Sequence, residues 1–265
     1  MKHYKQLLSF GCSFTEGRGL NHPTYHENQV EKEEKKTPSI SLKEPNLQEF
    51  AIKNSYPAFL ADKLECDFYN YGISSGSNEL IIKTLYDIVT NKGLTEEHPL
   101  FSREDLKGDR FLTDDDYKNT FITIQFSVLS RILLYLVEDK RLEPINGAYN
   151  PKDYVNEFYE MYIKYFYDIN VEYKKILHYI DVYSNFLTSK GIDHVFTFYE
   201  TPTSSIDKSK ILVSFDGMDL GTFAHENKLR ICDIKELNLN DTHFSVEGNK
   251  TVGNKIYEHL SKYYD

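Results

Sequence analysis

Leu7-Leu8-Ser9-Phe10-Gly11-Cys12-Ser13-Phe14-Thr15 is a short apolar run that stops at a glycine. Such a run has the length of a buried strand, and a glycine at its end marks a tight turn. Ser13 then stands at the carboxyl end of that strand. Open α/β sheets place their ligands at that rim. A serine there is a candidate nucleophile, although serine beside glycine is also ordinary turn and capping chemistry. A base for it lies near the other end of the chain, in Asp241-Thr242-His243.

Further along, buried runs alternate with helical patterns. Tyr4 to Phe10, Cys66 to Tyr71, Thr120 to Phe126 and His194 to Tyr199 read as strands. Ile211 to Phe215 reads as a short strand or a packed loop, and Leu229 to Ile231 as a further strand candidate. Tyr56 to Leu64 carries apolar residues at helical spacing with Pro57 in its first turn. Helices are also expected from Asn78 to Thr90 and from Val246 to Tyr263, the latter capped by Ser245. Strands alternating with helices predict a three-layer α/β/α domain with a parallel, flavodoxin-like sheet. The whole of residues 1–265 is expected to form that one domain.

Two insertions interrupt the pattern. Residues from about 17 to 55 are polar, with prolines at 23, 38 and 45, and are expected to form a surface loop or a lid. From about 150 to 190 comes a long helical insertion. Tyr154, Phe158, Tyr162, Tyr165, Phe166, Ile169, Tyr173, Ile176, Leu177, Ile180 and Phe186 recur there at helical spacing. That stripe is expected to pack on the core or against a second subunit. Pro144 to Asn150 reads as a turn, and Asp114-Asp115-Asp116 as the cap of a solvated surface turn.

Composition narrows the function classes. The net charge is −10, which lacks the basic footprint of a nucleic-acid binder. No stretch approaches the ~20 apolar residues of a membrane span, and the amino terminus enters its first strand without a signal peptide. The expected location is therefore the cytoplasm. Cys12, Cys66 and Cys232 show no metal-type spacing, so they read as free thiols. No metal or cofactor is called for. A dinucleotide- or nucleotide-binding loop of the usual glycine pattern is absent from the sequence.

In a parallel sheet four features fall on one rim: Ser13, the small-residue turn Gly72-Ile73-Ser74-Ser75-Gly76-Ser77-Asn78, the polar residues Ser127, Ser130 and Arg131, and the Asp241–His243 pair. With these in place the sequence resembles the SGNH hydrolases, also called the GDSL esterase/lipase superfamily. Gly11-Cys12-Ser13-Phe14-Thr15 is similar to the first block, Gly-Asp-Ser-x-Thr, with cysteine in place of aspartate. Asn70 to Asn78 is similar to the second block, with Ser75 at the position of its glycine and Gly76 next to it. The third block, Gly-x-Asn-Asp, is replaced by Gln125-Phe126-Ser127-Val128. The fourth, Asp-x-x-His, has His243 in place, but its acid is Asp241, one residue nearer, with Asn240 in the usual position.

The resemblance implies a serine ester hydrolase acting through an acyl-enzyme, with Ser13, Asp241 and His243 catalytic. It implies an oxyanion site drawn from the Ser13 N–H and from Ser75, Gly76, Asn78 or Ser127. The substrate is expected to be a small-molecule or glycan ester, with carbohydrate O-acetyl esters favoured. The alternative is a catalytically inactive SGNH scaffold used for binding or assembly. Ser13 and His243 side chains well beyond hydrogen-bond reach would favour that alternative.

Overall fold

The computed structural model describes residues 2–22, 24–25, 47–101, 103, 106, 112–136, 140–145, 153–200, 210–237 and 239–264. Four parallel strands form the central sheet: β1 (Gln6–Gly11), β2 (Asp67–Gly72), β3 (Thr120–Phe126) and, after a separate hairpin, β6 (Asp193–Phe198). Their order is β2-β1-β3-β6. Phe10 pairs with Tyr71 on one side and Ile124 on the other, and Ile124 with Phe196. Beyond β6, Leu212 makes a single parallel bridge to Phe196, so the Ile211 to Phe215 stretch is a packed loop with one strand-like contact. Every residue of β3 is buried, as expected of a central parallel strand covered on both faces.

Helices α1 (Ser13–Glu16), α2 (Leu47–Lys53), α3 (Tyr56–Leu64), α4 (Asn78–Val89) and α5 (Asp114–Lys118) follow in chain order up to β3. Then come α6 (Asp153–Tyr165), α7 (Ile169–Ser189), α8 (Leu220–Glu226) and α9 (Val246–Tyr263). The chain steps from β1 outward to β2 and back past β1 to β3. Right-handed crossovers therefore put α3 and α4 on opposite faces of the sheet. α3 is joined by α9, where Asn249 Oδ1 accepts the Tyr56 N–H at 2.9 Å. α4 is joined by α7, where the rings of Tyr86 and Phe186 lie 6.1 Å apart. The result is the three-layer α/β/α arrangement.

Differences from the sequence reading are local. Within the expected loop at 17–55, Leu47–Lys53 is helical, and its Ala51 packs in a small cluster with Leu20, Tyr25, Ile231 and Leu237. Residues 26–46, on which the lid idea mainly falls, lie outside the described residues. An antiparallel hairpin, β4 (Ile132–Leu136) with β5 (Arg141–Ile145), follows β3 and takes in Pro144, which the sequence placed in a turn. The long helical insertion is two helices. Asp168 begins the second by accepting the N–H groups of Asn170 and Val171. Ile176 and Ile180 of the stripe are buried, whereas Phe158, Tyr165, Phe166, Ile169 and Leu177 are exposed. The three aspartates open α5, where Thr113 and Asp116 form a capping box. Among the described residues, no helix is long and apolar enough to cross a membrane.

One buried group makes the fold sensitive to acid. His98 is buried; its Nδ1 accepts the Leu100 N–H and its Nε2 meets the Thr84 hydroxyl at 2.8 Å. Burial, with the nearby Lys83 charge, pushes its pKa down to about 4. The unfolded chain then binds a proton that the folded chain refuses. Stability is full above the ordinary histidine range and falls as the pH drops from about 6.5 towards 4, by ~3 kcal/mol for this group. His98→Gln is expected to flatten the fall of the urea midpoint over that interval; an unchanged slope would clear His98 of the effect.

Candidate active site

Strand β1 delivers Cys12 in an extended conformation, and Ser13 is the first residue of α1. The first amides of a helix have no partner within it, so the Ser13 N–H is available at the rim. The site depends on Gly11 and Gly72 for close approach. A β-carbon on Gly11 would collide with the Thr15 side chain, so the glycine serves this contact as well as the turn read from the sequence. Thr15 itself donates to Gln125 Oε1 at 2.6 Å and meets the Tyr56 hydroxyl at 3.0 Å. This buried trio braces the helix that carries Ser13.

Gly72, at the end of β2, lies directly under α1. A β-carbon there would overlap the Glu16 backbone nitrogen and sit 2.6 Å from its Cα. Backbone cannot swing aside as a flexible side chain can. Gly72→Ala is expected to cost about 1–3 kcal/mol of stability and to depress activity by displacing α1. A thermal melt and an ester assay on the same preparation check it; wild-type values in both would contradict the packing described.

His243 arrives from the far end of the chain, on a segment pinned by its neighbours. Arg230 bridges to Phe244, Ile231 N–H donates to the His243 carbonyl at 2.8 Å, and Cys232 N–H donates to the Asp241 carbonyl at 2.8 Å. Ser245 then caps α9 by accepting the Gly248 N–H. Within this frame Asp241 Oδ1 accepts both the His243 backbone N–H at 2.8 Å and the Nδ1–H at 2.6 Å. His243 Nε2 lies 2.9 Å from Ser13 Oγ. With Nδ1 donating to a carboxylate, Nε2 carries the lone pair and faces the serine proton. Burial alone would raise the Asp241 pKa. The two hydrogen bonds and the electrostatic attraction from His243, with a smaller electrostatic contribution from His22, outweigh it, and the carboxyl is held below its ordinary value.

Aromatic rings fix the imidazole from one side. Phe14 lies 4.8 Å from His243, 4.0 Å from Tyr199 and 4.9 Å from Phe244, centroid to centroid. Sequence alone does not bring Phe14 and Tyr199 together, because a stack between α1 and the residue after β6 is visible only once the strands are ordered. Tyr199 is pushed up to about 12, chiefly by burial. It therefore stays a neutral phenol against Phe14.

The rim opposite His243 holds the remaining candidates. Gly76 donates its own N–H to the Ile73 carbonyl at 2.8 Å, which ties that amide into the turn rather than into a ligand site. Ser75 stands at φ +60°, in the left-handed region. Asn78 opens α4, and its Oδ1 accepts the Ser127 N–H at 2.8 Å. That bond orients the amide and leaves its NH₂ without an acceptor among the described residues. Ser127 Oγ accepts from Arg131 Nη1 at 2.7 Å. Gln125, at the place of the third-block glycine, is committed to Thr15 and approaches Cys12 Sγ at 3.7 Å. Cys12 is buried and serves as packing.

No protein-family model matches the sequence, and no curated protein matches it. Among solved structures, the chain is similar to a protein assigned to the G-D-S-L lipolytic family from Desulfitobacterium hafniense. The two are 14% identical with a TM-score of 0.42, over 97% of this chain and 99% of that one. It is also similar to a carbohydrate esterase family 2 enzyme with a carbohydrate-binding domain from Corynascus thermopiles, 10% identical with a TM-score of 0.41, over 97% and 66%. A third is a carbohydrate esterase whose active site displays divergent catalytic and non-catalytic binding functions, 12% identical with a TM-score of 0.37, over 99% and 66%. This chain thus spans about two thirds of the length of either esterase. These likenesses are distant.

Proposed function

We propose that the protein is a serine ester hydrolase working through an acyl-enzyme, with a carbohydrate O-acetyl ester as its favoured substrate. One observation carries the proposal: the unbroken hydrogen-bond chain from Ser13 through His243 to Asp241. His243 Nε2 takes the Ser13 proton as Oγ attacks the ester carbonyl. The imidazolium, its charge matched by Asp241, gives that proton to the departing alkoxide. Water then attacks the acyl-serine, with His243 again taking and returning a proton.

Negative charge develops on the carbonyl oxygen in both steps and needs donors aimed at it beforehand. The Ser13 N–H is one. Asn78 Nδ2 is the second, taking the part that the missing third-block asparagine plays in the resembling family. Its NH₂ is oriented from behind by the Ser127 N–H. Asn78→Ala is expected to lower kcat by ~100- to 1000-fold. A drop that large in Ser127→Ala, with Asn78→Ala near wild type, would transfer the role to the serine.

The proposal is tested by stopped-flow hydrolysis of p-nitrophenyl acetate. An acyl-enzyme that deacylates slowly releases a burst of nitrophenolate matching the enzyme concentration. No turnover of this ester or of acetylated sugars would leave the inactive binding scaffold, which the Gln125-Phe126-Ser127-Val128 block favours.

A further inference from the structure

The mechanism assigns the two halves of an ester to different sides of Ser13. His243 must hand its proton to the leaving oxygen, so the alcohol half lies against the imidazole. A cleft of about 650 Å³ borders the same histidine, lined by His243 and Asp241 and walled by Arg18, Asn21, His22 and Asn240. Its volume suits a small organic ligand.

The walls carry several polar groups beside apolar surface. They offer a guanidinium, two carboxamides and two imidazoles, with Leu239 the one large apolar side chain among the described residues that line it. Pockets for apolar ligands are lined mainly by hydrophobic and aromatic groups. A fatty or aromatic alcohol meets one large apolar side chain here, whereas hydroxyl groups meet several donors and acceptors. No tyrosine is among the described residues of the lining, so ring stacking is not what would hold a sugar in it.

Charge adds a second selection. Arg18 is exposed, and among the described residues no carboxylate forms an ion pair with it. Asp241 also borders the cleft, with its Oδ1 taken up by two bonds from His243. Glu16 lies within electrostatic reach of Arg18, but burial raises its pKa and its side chain is turned inward, towards Gln48. Arg18 thus stands on the cleft wall without an ion-pair partner among the described residues, in a chain whose net charge is −10. We infer that this cleft seats the alcohol half of the ester and selects an alcohol that is both polyhydroxylated and anionic, with Arg18 as its anion contact. The inference rests on the hydrolase reading of the same site.

Binding to Ser13→Ala, which cannot turn over, tests it by calorimetry with glucose, glucuronate and glucose 6-phosphate. At least one anion is expected to bind roughly tenfold more tightly than glucose, the scale of a charge-assisted hydrogen bond. The preference should shrink with added salt and disappear in the Ser13→Ala/Arg18→Gln double variant. Preference for glucuronate identifies a uronate, and preference for the phosphate a sugar phosphate. Glucose binding as well as both anions, no binding of any of the three at roughly 10 mM, or a preference that survives the loss of Arg18 overturns the inference. Turnover of p-nitrophenyl acetate by the wild-type protein is scored separately. With turnover present and no anion preference, only the substrate class falls; with no turnover, the hydrolase reading falls.

Discussion

Ser13→Ala is expected to lower kcat towards p-nitrophenyl acetate by about 10⁴-fold or more, the scale on which removal of a triad nucleophile acts. The change deletes one oxygen. Ser13 is buried, and its hydroxyl meets His243 Nε2. No packing is lost beyond that atom, so the melting temperature should stay within a few degrees of wild type. Loss of activity with the fold intact locates the effect in the chemistry. Comparable activity in the alanine variant would mean that another group attacks the ester.

Asp241→Asn should cost about as much, roughly 10⁴-fold in kcat, by a different route. The carboxylate accepts two hydrogen bonds on one oxygen, from the backbone N–H and from Nδ1–H of His243. With its carbonyl in the place of that oxygen, an asparagine keeps both bonds but lacks the negative charge that matches the imidazolium. With its NH₂ there, Nδ1 must accept and the ring proton moves to Nε2, which then points a hydrogen at Ser13 Oγ and cannot take one from it. The same variant has a signature in stability. The Asp241 pKa is held below its ordinary value, so the carboxylate contributes stability at higher pH that is lost as pH falls through its folded-state pKa. Asparagine abolishes that part of the acid dependence. Kinetics and urea midpoints measured at several pH values check both effects; a variant with wild-type kcat would remove Asp241 from the mechanism.

The parallel sheet was legible because its strands are continuous apolar runs. Thr120 to Phe126 appears with the bounds read from its residues, as do Tyr56 to Leu64 and Val246 to Tyr263. Each carries a signal that its neighbours do not contradict, such as Pro57 in a first turn or Ser245 before a helical stripe. The hairpin of Ile132–Leu136 with Arg141–Ile145 was not legible. Its strands are only half-buried, and Pro144 reads as a turn although a proline is tolerated on an edge strand. The Leu47–Lys53 helix was hidden for a similar reason: seven residues with one buried position leave almost no periodicity.

At the site, Ser13, Asp241 and His243 are brought together as their positions after strand one and before the last helix predicted. The oxyanion donors were less readable. Whether Gly76 offers its amide outward depends on the path of one turn, and that path sends the hydrogen to Ile73. The orientation of Asn78 depends on Ser127, from a different strand. Such facts arise from the meeting of two loops, and neither loop's sequence contains them alone.

Ser13 as an activated nucleophile is the claim on which the mechanism turns, and a fluorophosphonate probe reads it directly. Incubation followed by peptide mass spectrometry should find one phosphonyl adduct, on Ser13, absent from Ser13→Ala and formed far more slowly in Asp241→Asn. An intact protein that takes up no probe, or takes it up on a different residue, would contradict the account.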